Sequence, residues 1–331
     1  MTEPVALAEV WRGGIVECTH MGHAVICDEN GDIVQAWGNP DQVIFPRSSC
    51  KMLQALPLIE SGAADRFGLT TEQLALSCAS HQGAYIHTDR VSRWLSDLGL
   101  GEADLRCGAQ APSDKEAKFD LIKSDQSPCQ IHNNCSGKHC GFLTLNQHLG
   151  GGPDYHVIDH PVQQAAKAAF EEVTQQTSPT WGTDGCSAPN FATTVHGLAR
   201  AMAFFATAHD RSDTRSQAAA RLTDAMRAFP ELVAGETRAC TELMRAMDGR
   251  VAIKTGAEAC FVAIIPEKRL GVALKISDGA TRASECAIAA ILVKLGVLDA
   301  HHPATAKRLD APMRNWNGIA AAEIRATDVL R

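Results

Sequence analysis

Several things are missing from this 331-residue chain, and each absence narrows what it can be. It has no run of about eighteen uninterrupted apolar residues, so no segment is expected to span a bilayer. It has no basic run, and its 31 Lys and Arg against 38 Asp and Glu leave a formal charge of −7. That balance argues against nucleic acid or an anionic membrane as partner. The start, Met1-Thr2-Glu3-Pro4-Val5-Ala6, has no basic stretch followed by an apolar one, so no secretory signal is expected. There is no internal repeat and no low-complexity linker.

Cysteine, by contrast, is plentiful. The twelve are scattered, form no compact framework, and sit in a chain too long to need staples. Reduced thiols in the cytoplasm are the expected state. Cys27, Cys78, Cys260 and Cys286 lie in apolar segments and read as small core residues.

The hydrophobic pattern changes period along the chain. Val5–Val10, Ile15–His20, His23–Cys27 and Ile33–Trp37 read as strands, with a tight turn at Glu29-Asn30-Gly31-Asp32. Helices are expected over 48–62, from Thr70 or Thr71 through Leu76, over His87–Leu98, Pro161–Thr174, Phe191–Ala208 and Ser216–Phe229. Residues 99–135 are rich in polar and turn residues and give few elements. Strands return at Val251–Lys254, Cys260–Ile265 and Leu270–Ile276, followed by a helix over Ser284–Leu295. This order predicts an α+β fold: an antiparallel sheet with a helical lobe. Residues 1–331 are read as one catalytic domain, with a sheet lobe of about 1–60 plus 245–331 and a mainly helical lobe of about 61–244.

Five segments could carry chemistry. In Phe45-Pro46-Arg47-Ser48-Ser49-Cys50-Lys51-Met52, Ser48 and Lys51 are spaced just under one helical turn, so both would point the same way. A serine hydroxyl is a weak nucleophile until a neighbouring base, here an uncharged Lys51 amine, takes its proton. Arg47 could fork onto a substrate carboxylate, or simply be solvated or salt-bridged. The run Ser77-Cys78-Ala79-Ser80-His81-Gln82-Gly83 offers a second hydroxyl at Ser80, or only a helix end. His132-Asn133-Asn134-Cys135-Ser136-Gly137-Lys138-His139-Cys140 is the densest polar cluster and is expected to be a functional loop. Cys135 and Cys140 are not spaced as Cys-x-x-Cys, so a simple zinc ribbon or thioredoxin motif fails and a metal would need a remote ligand. Gly182-Thr183-Asp184-Gly185-Cys186-Ser187-Ala188-Pro189-Asn190 could supply that ligand through Cys186, and Asp184 could hold an ammonium or be a turn residue. Lys254-Thr255-Gly256, with Ser-x-x-Lys upstream, is similar to the signals of serine β-lactamases and penicillin-binding proteins, and its glycine would let a substrate lie against the strand.

Phe45–Lys51, Ser80–Gly83, His132–His139 and Thr183–Pro189, in this order, resemble the rhizobial-type L-asparaginases, the asparaginase II family, and the likeness runs on to Asn315-Trp316-Asn317-Gly318. The resemblance implies a fold similar to serine β-lactamases and glutaminases. It also implies two serine–lysine pairs, Ser48 with Lys51 and Ser80 with Lys254. Zn²⁺ would be bound by Cys135, Lys138 and Cys186. Arg47, Asp184, His139 and Cys240 would lie at or near the substrate, and the chain would form a homodimer. The activity it implies is hydrolysis of L-asparagine to L-aspartate and ammonia through an acyl-enzyme. A glutaminase or other small-amide hydrolase on the same frame is the near alternative. A non-catalytic zinc-binding or redox-sensing protein is the distant one, and it leaves Ser48, Lys51 and Lys254 unexplained. A penicillin-recognising enzyme is disfavoured by the missing export signal.

Overall fold

The structure is a computed structural model and describes residues 3–331. The strands are β1 (Val5–Arg12), β2 (Ile15–Cys27), β3 (Ile33–Trp37), β4 (Val43–Ile44), β5 (Trp181–Thr183), β6 (Pro189–Phe191), β7 (Thr193–Thr194), β8 (Ala252–Gly256), β9 (Cys260–Ile265), β10 (Leu270–Ile276), β11 (Ala311–Arg314) and β12 (Ala320–Ala326). The chain divides into two compact units. One holds the chain up to Ser49, Thr193–Thr207 and Glu242–Arg331, and the other holds Cys50–Ala192 and Ala208–Thr241. The boundaries differ from those expected near residues 60 and 245. The helix Lys51–Glu60 belongs to the helical unit, and the segment Thr193–Thr207 returns to the sheet unit.

In the sheet unit, an eight-stranded sheet runs β11-β12-β1-β2-β10-β9-β8, with β3 also paired to β2. Every pairing is antiparallel. The strands expected at Ile15–His20 and His23–Cys27 are a single strand, β2. Its first half pairs with β1 and its second half with β10. The Cys260–Ile265 strand is buried at every position, as a continuous apolar run covered on both faces should be. The helix Val195–Ala206 packs on β10, β2 and β9, and Thr281–Lys294 packs on β12, β1, β10 and β9. The first of these comes so close that a Cβ on Gly271 would lie 2.0 Å from the Ala203 nitrogen, so only glycine fits there. The C-terminal hairpin β11–β12 was not expected from the sequence. Phe191, expected to open a helix, instead ends β6.

In the helical unit, the helix Lys51–Glu60 is the core element, buried from Lys51 through Ile59. A helix apolar on nearly all sides must be surrounded. Here Pro161–Thr174, Thr214–Ala228 and Ser136–Leu149 surround it. Thr70 and Gln73 form a reciprocal capping box that fixes the start of Thr71–Ser77. Within the polar stretch 99–135, Asp114 caps a helix at Lys115–Lys123. Residues 132–140 are not all loop, because Cys135 is the N-cap of Ser136–Leu149 and Ser136, Lys138 and His139 fall in its first turns. Among the described residues, no helix is long and apolar enough to cross a membrane.

Candidate active site

On the helical unit, three segments converge on buried amines. Lys51 is the first residue of its helix and is 1 % exposed. Its Nζ donates to the Ala79 carbonyl, to Ser80 Oγ at 3.0 Å and to Cys135 Sγ at 3.1 Å. Ser80 lies in the irregular segment that follows Thr71–Ser77. Its own N–H donates to the Val233 carbonyl at 2.9 Å, and that of His81 donates to Asn134 at 3.1 Å. Lys51 and Ser80, members of the two serine–lysine pairs expected from the sequence, are thus bonded to each other.

The second amine, Lys138, donates to Cys186 Sγ at 3.1 Å. Cys186 is carried by the β5–β6 hairpin, whose loop is closed by Asp184 N–H to Ala188 and Ser187 N–H to Asp184, both at 2.9 Å. Cys135 Sγ donates to Asn134 Oδ1 at 2.8 Å, and Cys135 and Cys186 shift each other's titration in opposite directions. Cys135 pulls Cys186 well below an ordinary thiol against the cost of burial, with Lys138 and His139 adding to the pull. Cys186, together with burial, drives Cys135 up. Of the two sulfurs, Cys186 is the one favoured in its charged form. Burial pulls Lys138 down, but Cys186, Cys135 and Asp184 outweigh it and keep the ammonium charged.

His139 is fully buried and its Nδ1 lies 2.8 Å from the Tyr155 hydroxyl. Its Nε2 is directed at Cys186 without a formed hydrogen bond. His139 therefore lies beneath the cluster rather than at an open surface. Tyr155, itself buried, carried no sequence signal; its hydroxyl also accepts the Arg106 N–H at 2.9 Å. Cys240 is 1 % exposed, near the start of the helix Ala239–Ala246.

Cys135, Lys138 and Cys186 fit a zinc ion by donor chemistry, with two sulfurs and an amine in one buried cluster and the unbonded His139 Nε2 beside it. Binding would require Lys138 and Cys135 to release their protons. Among the described residues, no group of three or more His, Cys, Asp and Glu side chains is set to hold a metal.

A buried imidazole network stiffens this region. His81 Nδ1 accepts the Gly83 N–H at 3.1 Å, so its proton sits on Nε2 and is donated to Ser136 Oγ at 2.9 Å. His81 stacks on His87 with ring centroids 4.7 Å apart. Burial lowers both imidazoles, His81 well below 6.5, with His87 and Lys51 pushing it further down. The folded protein resists protons here that the unfolded chain takes up. Stability should therefore be complete above about pH 6.5 and fall below it, by up to about 1.4 kcal/mol per pH unit for each imidazole. Urea midpoints that stay flat from pH 7 to pH 5 would contradict this.

The sheet unit carries the remaining residues. Ser48 lies half-buried in the 3₁₀ turn Arg47–Cys50, which leads directly into the Lys51 helix. Arg47 takes a left-handed backbone (φ 53°), a conformation that costs a non-glycine residue energy. Its guanidinium lies 4.0 Å from Glu258. Lys254 on β8 is fully buried and donates to the Thr255 carbonyl at 2.7 Å. Gly256 also permits a close approach of backbone. A Cβ there would meet the Pro46 carbonyl at 2.5 Å and the Ser49 nitrogen at 2.9 Å. The glycine lets the end of β8 press against the Pro46–Ser49 segment.

Residues 8–326 match the L-asparaginase II family, a family of amide hydrolases. The chain belongs to the L-asparaginase II family. No curated protein matches it. Among solved structures, Mglu in its native form is similar at 13% identity and a TM-score of 0.46, over 85% of this chain and 66% of that one. Mglu in its tris and glutamate form gives 13% and 0.46, over 90% and 63%. A beta-lactamase from Mycobacterium bovis gives 13% and 0.47, over 82% and 94%. The chain thus spans just under two thirds of the Mglu chains, and similarity at this level says nothing about substrate.

Proposed function

We propose that the protein hydrolyses the side-chain amide of free L-asparagine, giving L-aspartate and ammonia. The observation that carries this reading, beside the family, is the buried Lys51 amine bonded to a serine hydroxyl at 3.0 Å. In the proposed reaction Lys51 Nζ, uncharged once it has passed one of its protons on, accepts the Ser48 proton as Ser48 attacks the amide carbon. Backbone N–H groups stabilise the oxyanion, a contribution worth about 3–4 kcal/mol. Ammonia leaves, and water then hydrolyses the acyl-enzyme. Ser80 and Lys254 pass protons to and from Lys51. Arg47 and Asp184 hold the α-carboxylate and α-ammonium by opposite charge, and His139 and Cys240 support the substrate side from within the fold.

The Lys51–Ser80 bond favours one competing reading, in which Ser80 attacks and Ser48 assists. Substrate choice rests on one methylene, worth about 1–3 kcal/mol in a pocket. Ammonia release should therefore favour asparagine over glutamine by about tenfold or more in kcat/KM. Equal or better turnover of glutamine would move the assignment to a glutaminase.

We also propose that Cys135, Lys138 and Cys186 hold Zn²⁺. When bound, the ion would supply Lewis acidity and order the Cys186 loop. The expected result is stoichiometric zinc in the purified wild-type protein by elemental analysis, lost in Cys186→Ala. Wild-type protein free of zinc after growth in zinc-supplemented medium would reject the assignment.

A further inference from the structure

Within the sheet unit, two strained stretches of backbone meet beside Ser48. Arg47, the residue before it, has φ 53°. Glu258, just past Lys254-Thr255-Gly256, has φ 57° and ψ 33°, and Ala259 follows at φ 56°. Left-handed backbone costs a non-glycine residue energy and persists only where its surroundings fix it. Here they do. Gly256 presses on Pro46 and Ser49, and Cys260 Sγ donates to the Phe45 carbonyl at 3.5 Å. The Glu258 carboxylate is seated over the turn at Gly279, where a Cβ would come within 2.8 Å of Oε2. The Arg47 guanidinium and the Glu258 carboxylate are thereby set opposite each other at 4.0 Å. A closed charge-assisted bond is about 2.7–2.9 Å long, so the pair stands open. Among the described residues, no hydrogen bond engages the Glu258 carboxylate.

We propose that Glu258 is a specificity-determining residue that binds the α-ammonium of the substrate opposite Arg47, resting on the amide hydrolysis proposed above. It supplies a second carboxylate for the charge given there to Asp184, and it restricts the enzyme to free amino acids. The open gap has the right width. Bond lengths put the ammonium nitrogen of an α-amino acid and the nearer oxygen of its α-carboxylate roughly 2.7 Å apart. With that carboxylate on Arg47 and the ammonium on Glu258, each at about 2.8 Å, the four charges alternate in sign around a closed ring. The amide carbon of asparagine lies two bonds beyond Cα, roughly 2.5 Å away, and Ser48 directly follows Arg47. A substrate held by this pair is therefore held next to the attacking hydroxyl.

The test measures ammonia release from L-asparagine and from succinamate, which differ only in the α-ammonium, with L-glutamine and glutaramate as the longer pair. Glu258 is exposed, so Glu258→Gln should leave the fold intact. It should raise KM for the amino acid about tenfold, keep kcat within about twofold, and leave kcat/KM for the partner without the ammonium unchanged. Glu258→Asp, with the charge kept on a shorter arm, should recover part of the loss. A merely structural role would lower both members of a pair together and shift the unfolding midpoint. Equal effects on both members, or no effect on the amino acid, would overturn the proposal and leave amide hydrolysis standing. Wild-type protein that releases ammonia from none of the four would reject amide hydrolysis itself, and this proposal with it.

Discussion

Ser48→Ala should lower kcat for asparagine by about 10⁴–10⁶-fold, as loss of an attacking hydroxyl does in serine hydrolases. Ser48 sits half-buried in a short turn, so losing one oxygen should leave the fold intact. Ser80→Ala should cost less, about 10²–10³-fold, because it removes a proton-passing group and not the attacking atom. It also takes away the 3.0 Å acceptor of Lys51, so a change in the pH profile of kcat should accompany the loss. The two variants separate the readings. If Ser80→Ala is inactive while Ser48→Ala keeps more than about a tenth of wild-type turnover, the attacking group is Ser80. Trapping the acyl-enzyme and mapping the modified serine gives the same answer independently.

Lys51→Met should be comparably severe, with kcat down by about 10⁴-fold or more and KM changed only a few-fold, since the amine acts on protons and not on substrate affinity. Methionine fills nearly the same volume without charge, so packing in the core helix survives. The stability cost comes from the partners left behind. The buried Ala79 carbonyl loses its donor, and an unsatisfied buried acceptor costs about 1–3 kcal/mol. Calorimetry should show a folded protein with a modestly lower Tm. A folded Lys51→Met enzyme retaining more than about one per cent of wild-type kcat would remove Lys51 from the chemistry.

The helix Pro161–Thr174 and the strands Cys260–Ile265 and Leu270–Ile276 have the bounds their apolar patterns predict, because each pattern is local and uninterrupted. The hairpin β11–β12 escaped because its short, small-residue strands carry little apolar signal and gain stability only from pairing with β1. The Lys115–Lys123 helix escaped for a related reason, since only Ala117 in it is buried. Dense motifs located the candidate residues, as each compresses several reactive side chains into a few positions. They did not give the partners.

By itself, the sequence determined the α+β order of elements, the family, and which serines, lysines and cysteines to examine, because periodicity and motif spacing are written along the chain. Only the tertiary structure decided that Lys51 bonds Ser80 and Cys135, that Lys138 meets Cys186, and that Gly256 is filled by the Pro46–Ser49 turn. Those contacts join residues 29, 84 and 48 positions apart in the first three cases, and such distant pairs are set by how helices and hairpins pack rather than by local propensity.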